Sequence, residues 1–165
     1  MTSTEVVFVV LAAVGSVGAI RLVTSKNVVH AALYLVLTLA MVGAAYLVLA
    51  AGFLAWVQVL IYVGAIVVLL LFSLMLTRAP IGREALDNQQ RGWGALVATG
   101  VLVGLVYLIQ NAFGSAPRIQ IQSSATSEVG ASVFANFVLP FEVVSVLLLA
   151  ALVGAVVIAR RDEAR

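Results

Sequence analysis

Residues 28–77 carry no formal charge, and this uncharged stretch constrains the fold more than any other part of the sequence. A membrane-spanning helix needs about 20 apolar residues, so the stretch is too long for a single span. It predicts two spans joined by a short turn at residues 50–53. Gln58, Tyr62 and Gly64 interrupt the second of these spans, and any mechanism is expected near them.

The composition places the whole chain in a membrane. Of its 165 residues, 64% are hydrophobic and 10% are charged, and the mean hydropathy is +1.19. Soluble domains are about 45–50% apolar and about 25% charged. The apolar runs are continuous, which predicts helices, because the strands of membrane barrels alternate over about ten residues. The expected fold is an all-α integral membrane protein with the lipid bilayer as its solvent.

Five spanning helices fit the sequence, and they are predicted to form a single membrane domain over residues 1–165. A helix rises about 1.5 Å per residue, so about 20 residues cross a hydrocarbon layer of about 30 Å. The outer loop at residues 112–138 is polar, with a predicted short strand at 119–122 and a predicted short helix at 131–137. The predicted spans are residues 5–22, 29–50, 53–77, 92–111 and 139–159.

The basic residues predict the orientation of these spans. Five spans alternate sides, so the loop after the first, the loop after the third and the C-terminal tail share one face. That face is predicted to be cytoplasmic by the positive-inside rule, which leaves the N-terminus outside and the C-terminus inside. The three regions hold eight of the nine basic residues: Arg21, Lys26, Arg78, Arg83, Arg91, Arg160, Arg161 and Arg165.

Three polar side chains inside the spans are candidates for a proton path or for coupling. Gln58 and Tyr62 are four residues apart, so in an α-helix they share a face. Each either bonds to a neighbouring helix or lines a hydrated path. Glu142 either titrates against a partner, or reaches the interface or caps the helix start. Gly64 permits either close helix packing or a π-bulge.

The sequence excludes most redox chemistry within this chain. It contains no cysteine and one histidine, so it cannot supply the thiolates of an iron–sulfur cluster or two histidines to a haem. The net charge of +2 is small and gives no indication of nucleic-acid binding. No catalytic residue, cofactor site or metal site is predicted, and any redox cofactor is expected in other chains.

Three segments resemble a known family. They are NVVHAALY at residues 27–34, FLAWVQVLIYVGAIVVL at residues 53–69 and LPFEVVSVLLL at residues 139–149. In this order they resemble subunit J of the bacterial proton-pumping NADH:quinone oxidoreductase, whose mitochondrial counterpart is subunit 6 of complex I. This chain departs from the family at two positions. Some relatives carry a glutamate where this chain has Gln58, and the family usually carries a proline where this chain has Val28. A glutamine at position 58 offers no carboxylate to a proton.

The resemblance implies the function, the site and the partners. It implies a third helix with a π-bulge at Tyr62, Val63, Gly64 and Ala65, whose winding changes between catalytic states and forms or breaks a water path. It implies contact with the quinone-site subunit, small three-helix subunits and antiporter-like subunits in a bacterial cell membrane. It also implies that FMN, iron–sulfur clusters and quinone are bound by partner subunits and not by this chain.

The predicted function is therefore that of an accessory membrane subunit that helps couple quinone reduction to proton pumping. Two alternatives stay open. One is a small stand-alone transporter or channel that works as a homo-oligomer, although such proteins place an ionisable residue deep in a span, and Glu142 is shallow. The other is a packing subunit of the same complex with no switch.

Overall fold

The computed structural model describes residues 2–76, 91–114 and 125–160, and this part of the chain contains helices and no strand. Five helices are long and apolar enough to cross a membrane, as predicted. A shorter helix, Thr126–Asn136, is called the loop helix below. The five, called the first to the fifth helix, are Ser3–Thr24, Val28–Val48, Gly52–Leu76, Arg91–Phe113 and Val138–Ala159.

The observed limits of these helices differ from the predicted limits by one or two residues at most ends. The helix predicted at residues 131–137 is present as the loop helix, which begins earlier, at Thr126. The strand predicted at residues 119–122 lies outside the described residues. So do Arg78, Arg83, Arg161 and Arg165, on which much of the predicted orientation depends.

The chain divides into two compact units, Met1–Ser123 and Ser124–Arg165. In the second unit, the loop helix packs on the fifth helix through an edge-to-face pair of Phe134 and Phe141, whose ring centroids are 5.2 Å apart. Pro140 occupies the first turn of the fifth helix, where its missing N–H group costs little because that group has no partner within the helix.

In the first unit, the first and second helices approach closely through small residues. A methyl group added at Gly18 would lie 2.9 Å from Thr38 Oγ1, and one added at Gly15 would lie 3.2 Å from Met41 Cβ. The Thr38 hydroxyl donates a 2.8 Å hydrogen bond to the carbonyl of Tyr34, which holds its oxygen in place. In lipid, helices associate through this kind of close contact because no hydrophobic force drives them together.

Side-chain capping begins the second helix. Asn27 Oδ1 accepts hydrogen bonds from the N–H groups of Val29, at 2.9 Å, and of His30, at 3.4 Å. Two of the N–H groups that lack partners at a helix start are thereby satisfied. The helix start is consequently defined without a proline at Val28.

The turn between the second and third helices uses a left-handed alanine. Ala50 has φ 57°. Its N–H group donates to the carbonyl of Leu47 at 3.0 Å, and the N–H group of Ala51 donates to the carbonyl of Tyr46 at 2.9 Å. This is the Schellman pattern of helix termination, in which glycine normally takes the left-handed position. The tight turn brings the third helix back along the second.

We expect Gly18→Ala to weaken the contact between the first and second helices by about 1–3 kcal/mol, because its methyl group overlaps Thr38 Oγ1. The double variant Gly18→Ala with Thr38→Ala removes that oxygen and should restore stability. Gly18→Ala with Thr38→Ser keeps the oxygen and should not. The fraction of this chain that stays folded in detergent solution during heating measures that stability. Equal stability of the two double variants would contradict the prediction.

We expect Ala50→Gly to stabilise the chain by about 1 kcal/mol, since glycine adopts a positive φ without the steric penalty of a Cβ atom. The measurement is the midpoint temperature of thermal unfolding in detergent. Ala51→Gly is the matched control, because Ala51 has a negative φ of −93° and should gain nothing. An unchanged midpoint for Ala50→Gly would show that the turn is not strained.

Candidate functional site: a π-helical segment of the third helix

The third helix changes its winding in the middle. Its first part, Gly52–Val57, and its last part, Val67–Leu76, are α-helical, and the part between them, Gln58–Ile66, is π-helical. The backbone N–H group of Gln58 is shared between the carbonyls three and four residues back, whereas that of Val67 is shared between the carbonyls three and five residues back, the latter that of Tyr62. Most π-helices are single turns and many lie at functional sites, so this nine-residue segment is the candidate site.

The π winding decides which residues face the second helix. An α-helix turns about 100° per residue, so nine α-helical residues after Gln58 would place Val67 about 180° away, on the opposite face. Yet both are buried, Gln58 with 7% of its surface exposed and Val67 with 2%. Among the described residues, the second helix is the only other helix that the third helix contacts. The π segment therefore brings both residues to that one neighbour.

Gln58 is the only buried polar residue in the described part of the chain. Its Nε2 atom donates a long hydrogen bond, 3.4 Å, to the carbonyl oxygen of Leu39 on the second helix. Gly43 lies beside this contact, where an added methyl group would be 3.5 Å from Gln58 Cγ, an ordinary contact distance. The amide of Gln58 thus bonds to a neighbouring helix, which is one of the two roles that the sequence left open.

Tyr62 does not share the burial of Gln58, although four-residue spacing predicts a common face. Its side chain is 44% exposed. The next partly buried residues after Gln58 are Val63 and Gly64, five and six positions on. The two side chains therefore differ in burial, and a shared role of Gln58 and Tyr62 in a proton path stays a prediction.

The four residues of the predicted bulge, Tyr62 to Ala65, all lie inside the π segment, which is longer than a single-turn bulge. A methyl group at Gly64 would lie 3.4 Å from the carbonyl oxygen of Val59, five residues earlier, at ordinary contact distance. The described structure holds one winding only. A local bulge that converts between windings stays a prediction.

Glu142 lies in the second compact unit, near the start of the fifth helix, and is exposed there. Ser145, one turn further on, donates its hydroxyl to the carbonyl of Phe141 at 2.8 Å. The hydroxyl hydrogen of Ser145 therefore bonds within the helix and not to the Glu142 carboxylate. The part of Glu142 in proton transfer stays a prediction.

Sequence reasoning missed three contributors to this site: the carbonyl of Leu39, Gly43 and Val67. Gly43 was visible as a small residue inside a span, which is a weak signal for close packing. Val67 is one valine in a long apolar run, so nothing in the sequence marks it out. A backbone carbonyl leaves no trace in a sequence at all.

The chain does not supply the ligands of a cysteine-bound iron–sulfur cluster. Within residues 2–76, 91–114 and 125–160, no three histidine, aspartate or glutamate side chains come together as metal ligands. The full sequence has no cysteine and a single histidine, which excludes the ligand set of an iron–sulfur cluster. The chemistry that this geometry can perform is hydrogen bonding and rearrangement.

Comparison with known proteins gives the family. Residues 18–158 match the family described as NADH-ubiquinone/plastoquinone oxidoreductase chain 6. The chain is 39% identical to NAD(P)H-quinone oxidoreductase chain 6 of Leptolyngbya boryana, over 94% of this chain and 79% of the relative. It is 36% identical to F(420)H(2) dehydrogenase subunit J of Methanosarcina mazei, over 96% of this chain and 92% of the relative.

The matched residues include the whole π segment and four of the five spanning helices almost completely, so the similarity covers the site as well as the fold. Similarity to named chains of an oxidoreductase does not favour the alternative of a small stand-alone transporter or channel. With five helices of spanning length, the chain is a multi-pass membrane protein. It belongs to the NADH-ubiquinone/plastoquinone oxidoreductase chain 6 family.

Proposed function

We propose that this chain is a membrane subunit of a proton-translocating NAD(P)H-quinone oxidoreductase of the complex I type. Its part is to couple quinone reduction to proton pumping through a change of winding in the third helix. The observation that carries this proposal is the π segment Gln58–Ile66, which puts Gln58 and Val67 on one face. Such a segment has an obvious alternative state, the α-helix.

The change of winding has a definite geometric result. If the segment became α-helical with Gln58 in place, Val67 would leave the second helix, and Leu69 would come within about 20° of the direction of Gln58. Leu69 is now 67% exposed. Tyr62 and Ile66 would turn as well, which opens or closes a hydrated gap beside them. A water path through that gap would connect the region of quinone chemistry with the pumping subunits.

The names of the relatives support a role away from the electron donor. One relative is named for NAD(P)H and another for F(420)H(2), yet this chain is similarly identical to both. A subunit shared by enzymes with different donors is unsuited to holding the donor site. FMN, iron–sulfur clusters and quinone are therefore proposed to be bound by partner subunits, in agreement with the ligand-poor composition of this chain.

The proposed setting is a bacterial cell membrane, with the N-terminus on the periplasmic side and the C-terminus in the cytoplasm. The distribution of basic residues supports this orientation. The proposed partners are the quinone-site subunit, the small three-helix subunits and the antiporter-like subunits. Exposed apolar side chains along the fourth and fifth helices are compatible with lipid and with such partners.

Replacing Gly64 tests the switch. We expect Gly64→Val to reduce proton pumping about tenfold while the complex still assembles, because the branched side chain crowds the Val59 carbonyl in the π winding and so holds the helix in the α winding. Gly64→Ala is the control, since a single methyl group fits at 3.4 Å. Quinone reductase rate and pumping are measured in membrane vesicles, with assembly checked on native gels. Normal rates and gradients in Gly64→Val would favour a packing subunit without a switch.

Replacing Glu142 tests its charge. We expect Glu142→Gln to lower the number of protons pumped per electron while quinone reduction continues, because an amide cannot release a proton. The matched control is Glu128→Gln, which makes the same change at an exposed glutamate of the loop helix. Both are measured across the pH range of activity. If Glu142→Gln behaves as the control does at every pH, Glu142 is an interfacial carboxylate and not a proton carrier.

A further inference from the structure

The first two spanning helices meet at an end that carries three exposed basic side chains. Arg21 lies in the last turn of the first helix, Lys26 in the short linker and His30 in the first turn of the second helix. We propose that Arg21 and Lys26 bind the phosphate of one anionic phospholipid, and that an acyl chain of this lipid lies along the first helix. The site is independent of the winding of the third helix.

The three basic groups lie at nearly the same depth in the membrane. Arg21 is close to the end of the first helix and His30 close to the start of the second, so both Cα atoms are within about 5 Å of the linker along the helix axes. Residues 6–76 contain no aspartate or glutamate. Glu5 lies about 24 Å from Arg21 along the first helix. Within the described part of the first three helices, this end is therefore positive with no acidic side chain beside it, which is complementary to a phosphate.

The linker presents Lys26 at the tip of an ordered turn. Ser25 Oγ donates a 3.0 Å hydrogen bond to the carbonyl of Asn27, which closes the turn around Lys26. The side chain of Asn27 accepts hydrogen bonds from two N–H groups at the start of the second helix, so these groups are not free for an anion. The phosphate is therefore bound by side chains. The guanidinium of Arg21 supplies a fork of donors that fits two phosphate oxygens.

A stripe of valines runs along the first helix from Arg21. Val17, Val14 and Val10 precede Arg21 by four, seven and eleven residues, a spacing that keeps all four on one face of the helix. The three valines are 59%, 40% and 55% exposed, so they lie away from the glycine face that packs on the second helix. The stripe is about 16 Å long, about half of a hydrocarbon layer of about 30 Å. It therefore matches the acyl chain of one leaflet.

The composition of this stripe favours a lipid over a helix of a partner subunit. Helices in membranes approach each other through small residues, and the first helix uses Gly15 and Gly18 for its contact with the second. The stripe contains valines only, whose branched side chains keep another backbone at a distance. A flexible acyl chain fills the gaps between them. A free phosphate ion would use the basic end alone, so the basic end and the stripe together indicate a phospholipid.

The test is photo-crosslinking in the complete complex, reconstituted in phosphatidylcholine vesicles. A trace of photoreactive phosphatidylglycerol, too little to saturate the site, carries its reactive group in an acyl chain. Phosphatidylcholine with the same group is the zwitterionic comparison. Cyanogen bromide cleaves after methionine, and the fragment of residues 2–41 contains the basic end and the whole stripe. The readout is the label in this fragment, with assembly checked on native gels.

In the parent, we expect the anionic probe to label this fragment several times more strongly than the zwitterionic probe. Arg21→Gln should lower labelling by the anionic probe about fivefold, and Arg21→Gln with Lys26→Gln about thirtyfold, because each basic residue contributes about a factor of five at an anionic lipid. Arg160→Gln is the matched control. It removes the same charge at the exposed end of the fifth helix, outside this fragment, and should leave the labelling unchanged.

Equal labelling by the two probes in the parent would overturn the proposal, and this comparison needs no variant to assemble. Full labelling in the double variant would overturn it as well. No label from either probe would overturn it in favour of a partner subunit that covers the stripe. Soluble glycerol phosphate at the concentration of the phospholipid should not reduce the labelling, since the buried CH₂ groups of an acyl chain add to binding. Competition at that concentration would contradict the part of the stripe.

Discussion

The hydrogen bond from Gln58 to the carbonyl of Leu39 is the interaction on which the arrangement of the third helix depends. A polar amide inside a span has few acceptable positions, since lipid cannot solvate it. Here it donates a long hydrogen bond, 3.4 Å, to a backbone carbonyl of the second helix. Once Gln58 is held, the position of every later residue of the third helix depends on the winding that follows.

The π segment follows from two demands that an α-helix cannot meet together. Gln58 bonds to the second helix, and Val67, nine residues further on, is buried as well. Regular α winding would turn these two residues away from each other, so the backbone adopts the wider winding.

Different parts of the chain therefore contribute differently. The first helix packs on the second through Gly15 and Gly18, and this close contact supports the surface on which the third helix lies. The fourth and fifth helices expose apolar side chains along their length. We propose that the third helix is the adjustable element in this member of the NADH-ubiquinone/plastoquinone oxidoreductase chain 6 family, with the second helix as its support.

Much of the fold could be predicted because membrane helices are encoded locally. Length, apolar composition and the absence of charge identified five spans, and the limits were close because about 20 residues are needed to cross the bilayer. Gln58, Tyr62 and Gly64 were identified because polar and small residues are rare in such runs. The role of Val67 could not be predicted, since it looks like every other valine in the span.

The sequence by itself determined that this chain crosses a lipid bilayer as five apolar helices. It also determined that the polar side chains of Gln58 and Tyr62 interrupt the third of them. Only the tertiary structure decided that Gln58 bonds to Leu39, that Tyr62 is exposed and that Val67 is buried. The physical reason is that the winding of a helix is set by hydrogen bonds between backbone groups, which all residues share. Which winding prevails depends on the neighbouring helix, and a sequence pattern does not contain that neighbour.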